Sequence, residues 1–120
     1  MSKRSVPVML HDLVHHAQRV RDVYTAHVRT ADFIDDETAK EAALWNFIAM
    51  GEVCNRLGDE FQKQHMDIPW SAIIDQRNFI AHGYDVLNWN KLVSVIENDL
   101  PTLIEHAQRL LDSYGPPPEM

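Results

Sequence analysis

A chain of 120 residues is long enough to close one helical core and short for two domains. Hydrophobic residues make up 45% and charged residues 24%, an ordinary globular balance, with no apolar run near the roughly 18 residues of a membrane span. A net charge of −7 excludes the broad basic footprint of a non-specific nucleic-acid binder, and the single cysteine, Cys54, excludes an intrachain disulfide.

The start, MSKRSVPVMLHD, is basic without the apolar segment of a secretory signal, so a cytoplasmic protein is expected, with no membrane partner. Charge is uneven along the chain: residues 1–30 carry a net +3 and residues 31–120 a net −10. Such a body can hold RNA only in a local groove, or present an acidic face to a basic partner. The simplest reading of the charge alone is a solvated surface.

Over residues 8–28, Leu10, Leu13, Val14, Ala17, Val20, Tyr24 and Val28 recur at three-four spacing and predict a first helix with one buried stripe. Pro7 suits its first turn, where a missing N–H costs nothing. A polar stretch at residues 30–36 interrupts the pattern. Asp35, Asp36 and Glu37 then place negative charge where a helix N-terminus favours it, and Thr38 and Glu41 have capping-box spacing.

A second helix is expected to about residue 61, with Leu44, Phe47, Ile48, Cys54, Leu57 and Phe61 facing inward. Its segment AALWNFIAMGEV is apolar on more than one side, which predicts the most central helix. Gly51 there costs about 1 kcal/mol relative to alanine, and close approach of another backbone or of a partner chain is the expected compensation. IPW at residues 68–70 opens a third helix, with Pro69 near its first position, and Gly83 frays its end.

After a turn at residues 85–88, Trp89, Leu92, Val93, Ile96 and Leu100 continue a helical stripe. Pro101 kinks it or starts a last helix with Leu103, Ile104, Ala107, Leu110 and Leu111. There is no β-alternation, internal repeat, Gly-rich phosphate loop or paired-cysteine motif. The expected fold is all-α, an up-down bundle of four or five helices over residues 1–114, followed by a disordered tail at 115–120.

The chemistry concentrates in RNFIAHGY, residues 77–84. On a regular helix Arg77 and His82 lie about 7.5 Å apart along the axis and about 140° apart around it, whereas Asn78 and His82 share a face. Unwinding at Gly83 would let His82 and Tyr84 swing toward Arg77. RNA cleavage by its own 2′-hydroxyl needs a base, an acid and a cation for the pentavalent phosphate. Histidine serves as base or acid, and arginine offers a planar charged fork for phosphate oxygens. One chain supplies a single such imidazole, so this chemistry recommends a homodimer. The structural alternative is a histidine capping carbonyls and an arginine paired with Asp75 or Asp85.

RNFIAHGY, with IPW before it, NDLP after it, and FIDDET and MGEV upstream, resembles the HepT-like branch of the HEPN superfamily over about residues 10–111. The resemblance implies a helical homodimer with the Arg–polar–His motifs facing one cleft, and a metal-independent endoribonuclease without a cofactor. It further implies the toxin of a toxin–antitoxin pair, whose antitoxin is a minimal nucleotidyltransferase able to adenylylate the motif tyrosine, here Tyr84. The catalytic candidates are then Arg77 and His82 with Asn78. Glu52, in the family's Gly–Glu pair, is placed to orient Arg77 or else is a carboxylate paired for structure. Trp45 stands where family members often carry arginine, which supports the alternative of a catalytically weak binding module, chiefly a modification substrate of the nucleotidyltransferase.

His11 and His15 are one turn apart, but no third ligand has convincing spacing, so no metal site is assigned. His27, His65 and His106 are expected on the surface. Cys54 is expected in the core, and Trp45, Trp70 and Trp89 as core or interface anchors.

Overall fold

Capping side chains mark where three of the helices begin in a computed structural model describing residues 5–115. Ser5 caps α1 (Val6–Thr25) by accepting from the Val8 N–H, with Pro7 in the first turn. A short α2 (Thr30–Ile34) follows, and Asp36 caps α3 (Glu37–Leu57) by accepting from the Ala39 N–H at 3.0 Å. The cap therefore lies two residues before the Thr38 position. Gly58, at φ 86°, stops α3 and leads into α4 (Asp59–Gln64).

Helix α5 (Trp70–His82) ends one residue before Gly83, and a 3₁₀ turn occupies Tyr84–Val86. Asn88 caps α6 (Trp89–Ser94) by accepting from the Lys91 N–H. A π-helical segment, Val95–Asp99, joins α6 to α7 (Leu100–Asp112). The described residues are helical without strands. None of these helices is long and apolar enough to cross a membrane.

The π turn answers the question that Pro101 poses. In its spacing the donor for the Ile96 carbonyl would be residue 101, which has no N–H. Arg21 of α1 donates to that carbonyl instead, at 3.2 Å, and the Tyr24 hydroxyl donates to Glu97 at 2.7 Å. Pro101 thus stands in the first turn of α7, the last helix, which is the second of the two expected alternatives.

Helix α3 packs against α1 on one side and α5 on the other, and α7 packs on α1. Ten α3 residues are buried against five of α1 and three of α5, which makes α3 the central helix. Between α5 and α7 a cleft of about 390 Å³ opens, with Phe47, Met50, Ile73 and Leu103 among its apolar walls and Gln76 and His106 among its polar ones.

Three expectations change. Val28 is 98% exposed, because α1 ends at Thr25 and the next turn carries it outward. The stretch at 30–36 is not merely polar: α2 drives Phe33 fully into the core. Helix α3 stops at Leu57 rather than near residue 61, because Gly58 turns the chain. Of the expected tail, residues 116–120 lie outside the described residues.

Candidate functional site

Gly51 explains the placement of Arg77. A Cβ added to this buried glycine would run into the Arg77 Cβ and lie 2.6 Å from its Cγ. The missing side chain therefore admits the aliphatic stem of Arg77 onto the α3 backbone; what approaches is this side chain, not another backbone or a second chain. From there one terminal nitrogen of the guanidinium pairs with Glu52 at 2.5 Å, and the other donates to Asn78 Oδ1 at 2.9 Å.

This pair is not a device for stability. Arg77 and Glu52 side chains are 30% and 40% exposed, and water-screened pairs contribute about 0–1 kcal/mol. Its consequence is geometric: α3 and α5 together fix a planar cation at the surface. The Arg77 Nε is buried and has no hydrogen-bond partner among the described residues. Neither Asp75 nor Asp85 takes the arginine.

His82 closes α5 with an exposed side chain that makes no hydrogen bond among the described residues. The helix stays intact through it, and the Gly83 N–H donates to the Phe79 carbonyl at 2.8 Å. Arg77, Asn78 and Glu52 are thus brought together, whereas a single chain leaves His82 on another part of the helix surface. The side chain of Tyr84 lies outside the described residues.

Two exposed rings lie on the helices that carry this site, and sequence reasoning passed over one of them. Trp45 is not core: it is 69% exposed, on the same face of α3 as Glu52. Phe79, between Asn78 and His82, is 56% exposed. The available signal for Phe79 was that it falls outside the apolar stripe of its helix. Trp70 is buried and Trp89 partly so, as expected.

The remaining candidates hold structure. His16 Nδ1 lies 2.8 Å from Asn46 Oδ1, and the Asn46 amide donates to the Ala42 carbonyl, which satisfies a buried asparagine. Burial pushes the Cys54 thiol up to about 12, far from a reactive thiolate. His27, His65 and His106 are not simply surface residues. His27 pairs with Asp36 at 3.0 Å, His65 lies against the Phe61 ring, and His106 meets the Asp67 carbonyl.

Comparison with known proteins adds to this geometry. Residues 13–110 match the family described as Ribonuclease HepT-like. A Methanocaldococcus jannaschii protein provisionally named an RNase is 24% identical over 108 residues, covering 90% of this chain and 98% of that one. A second from the same organism, named likewise, is 21% identical and covers 92% and 91%. A Thermococcus cleftensis protein provisionally named ribonuclease HepT is 24% identical, covering 90% and 97%. No solved structure matches the chain. With most of its length matched, and with the Arg77–Asn78–His82 segment inside the match, the chain belongs to the HepT-like ribonuclease family.

Proposed function

We propose that the chain is an endoribonuclease that cuts RNA through the RNA's own 2′-hydroxyl, acting as a homodimer. The observation that carries this reading is the Arg77 guanidinium, seated on Gly51 and aimed by Glu52 and Asn78, with an exposed His82 at the end of the same helix. In the reaction the 2′-oxygen attacks the adjacent phosphorus and the 5′-oxygen leaves. A histidine takes the first proton, and a histidine of the second copy returns one to the leaving oxygen. Arg77 compensates the charge that gathers on the phosphate oxygens. Two copies supply the two imidazoles that one chain lacks.

In the cell this activity is that of a toxin, held in check by a nucleotidyltransferase antitoxin that adenylylates Tyr84. A phosphate added there would place negative charge near Arg77 and His82, competing for the groups that RNA requires. Substituting His82→Ala or Arg77→Ala is expected to abolish RNA cleavage and growth inhibition, a loss of about 10³-fold or more, while the dimer persists in sedimentation. Cleavage at the wild-type rate by both variants would end this reading.

A second reading has one observation in its favour: both terminal nitrogens of Arg77 are already engaged within the chain. On that reading the domain is chiefly a partner and modification substrate of the nucleotidyltransferase. Mass spectrometry after incubation with that enzyme and ATP tests it; an unmodified Tyr84 together with no complex on gel filtration would refute it.

A further inference from the structure

We propose that Trp45 and Phe79 are stacking platforms for unpaired bases of the RNA strand, and that this domain grips its substrate by base stacking more than by charge. The inference rests on the ribonuclease reading for the identity of the ligand. Its starting point is a deficit. A chain of net charge −7 gains little from phosphate neutralisation, and Glu52 already offsets part of the charge of Arg77. Affinity for RNA must come from another source.

Two aromatic rings supply it. Trp45 is 69% exposed and Phe79 56% exposed, and neither makes a ring contact with another aromatic among the described residues. Five other large rings do engage a ring: Phe33 meets Tyr24, His27 and Trp89, and Phe61 meets Trp70. Trp45 lies seven residues before Glu52, two helical turns along the same face of α3. Phe79 precedes His82 by three residues, so these two share a side of α5, about 160° around the helix from Arg77. An apolar ring held in water is unfavourable by itself; here one ring stands two turns from the carboxylate that holds Arg77, and the other one turn before His82.

Every base has a π-face, so stacking tolerates sequence, but a duplex hides those faces. The substrate class is therefore single-stranded RNA, or loops and ends whose bases are splayed. The expected contribution is about five- to 100-fold in affinity for each ring. The dependence on salt should be shallow, with log K against log salt near −0.7 to −1.4, the slope of roughly one or two phosphates on a single strand.

The test uses the whole chain and a fluorescein-labelled, unpaired 2′-O-methyl octanucleotide, which lacks the attacking hydroxyl and stays intact. Anisotropy titrations compare wild type, Trp45→Ala, Trp45→Phe and Phe79→Ala, on the single strand and on the same strand in a duplex. Sedimentation follows the oligomeric state, and unmodified RNA is assayed for cleavage in parallel. The expected result is tight binding of the single strand only, weakened five- to 100-fold in each alanine variant and largely kept in Trp45→Phe. Failure of the wild type to bind the strand, or unchanged binding in both alanine variants, overturns the proposal. So does dissociation of the dimer in those variants, which would assign the rings to contact between copies. Stacking without any cleavage sinks only the ribonuclease reading, and cleavage with indifferent rings sinks only the stacking.

Discussion

The corner between α1, α2 and α3 and the C-terminal end of α5 treat the same residue types in opposite ways. At the corner Phe33 is fully buried, with the rings of Tyr24, His27 and Trp89 edge-on around it. His27 sets Nδ1 against the Val23 carbonyl and Nε2 against the Asp36 carboxylate, each at 3.0 Å. Both partners only accept, so the arrangement is complete when both ring nitrogens carry protons. Asp36 also caps α3. At the end of α5 the histidine is unbonded among the described residues, the arginine has an unpartnered buried N–H, and Phe79 and Val86 face water. The chain closes its hydrogen bonds where the corner holds helices together and leaves polar groups open, among the described residues, at the end of α5.

Deleting the ring at the closed corner should have the largest effect. Phe33→Ala is expected to cost about 3–5 kcal/mol in denaturant unfolding, because it opens a cavity among three rings. A cost below about 1 kcal/mol, with cleavage lost instead, would break the division between a structural corner and a chemical end.

The next effect runs against helix propensity. Alanine is the better helix residue by about 1 kcal/mol, yet Gly51→Ala should destabilise by about 1–3 kcal/mol and lower cleavage more than tenfold. The added Cβ meets the Arg77 Cβ itself, so a side-chain rotation cannot relieve it and α3 and α5 must shift apart. A Gly51→Ala variant at least as stable and active as the wild type would remove Gly51 as the seat of Arg77.

The smallest effect is a dependence on pH. The hydrogen bond to Asp36, aided by the Val23 carbonyl, raises the His27 pKa above the ordinary histidine value, although partial burial opposes it. Asp36 is held below its ordinary value by the Ala39 N–H and then by His27. Asp32, beside Arg29, is the further carboxylate that senses His27. Because the folded-state pKa of His27 is raised, its stabilisation is full below the ordinary histidine value, near 6.5, and is lost as pH rises through the raised one. The Asp36 contribution is lost at the other end, as pH falls through its depressed pKa. Melting temperature should therefore decline in the wild type as pH rises from the ordinary histidine value through the raised one, and His27→Gln should flatten that decline. An unchanged profile in His27→Gln would show that the corner is held by its rings alone.

Much of the fold was legible because its signals are local. Pro7 in the first turn of α1, the acidic start of α3, the IPW opening of α5 and the end at Gly83 each depend on groups within about one turn. The same reading failed at Val28 and Phe33, where two residues of similar hydropathy five apart have opposite fates. Nothing within one turn of either says where α1 ends or where α2 turns inward. At the site, Arg77, Asn78 and His82 were legible as a motif, and the pairing of Glu52 with Arg77 followed from resemblance. The exposure of Trp45 was not legible, since α3 is apolar on several sides and its composition does not say which side is left over.

The sequence by itself therefore determined that the chain is helical, where its long helices start and which family it resembles. Periodicity and capping act between residues a few positions apart, and these are neighbours before any folding occurs. Only the tertiary structure decided that Arg77 lies on Gly51 and reaches Glu52, that His27 joins the Asp36 cap, and that Trp45 faces water while Trp70 is buried. A helical repeat says which residues share a face, but which face meets a neighbour depends on how the helices pack, and that is settled by surfaces far apart in the chain.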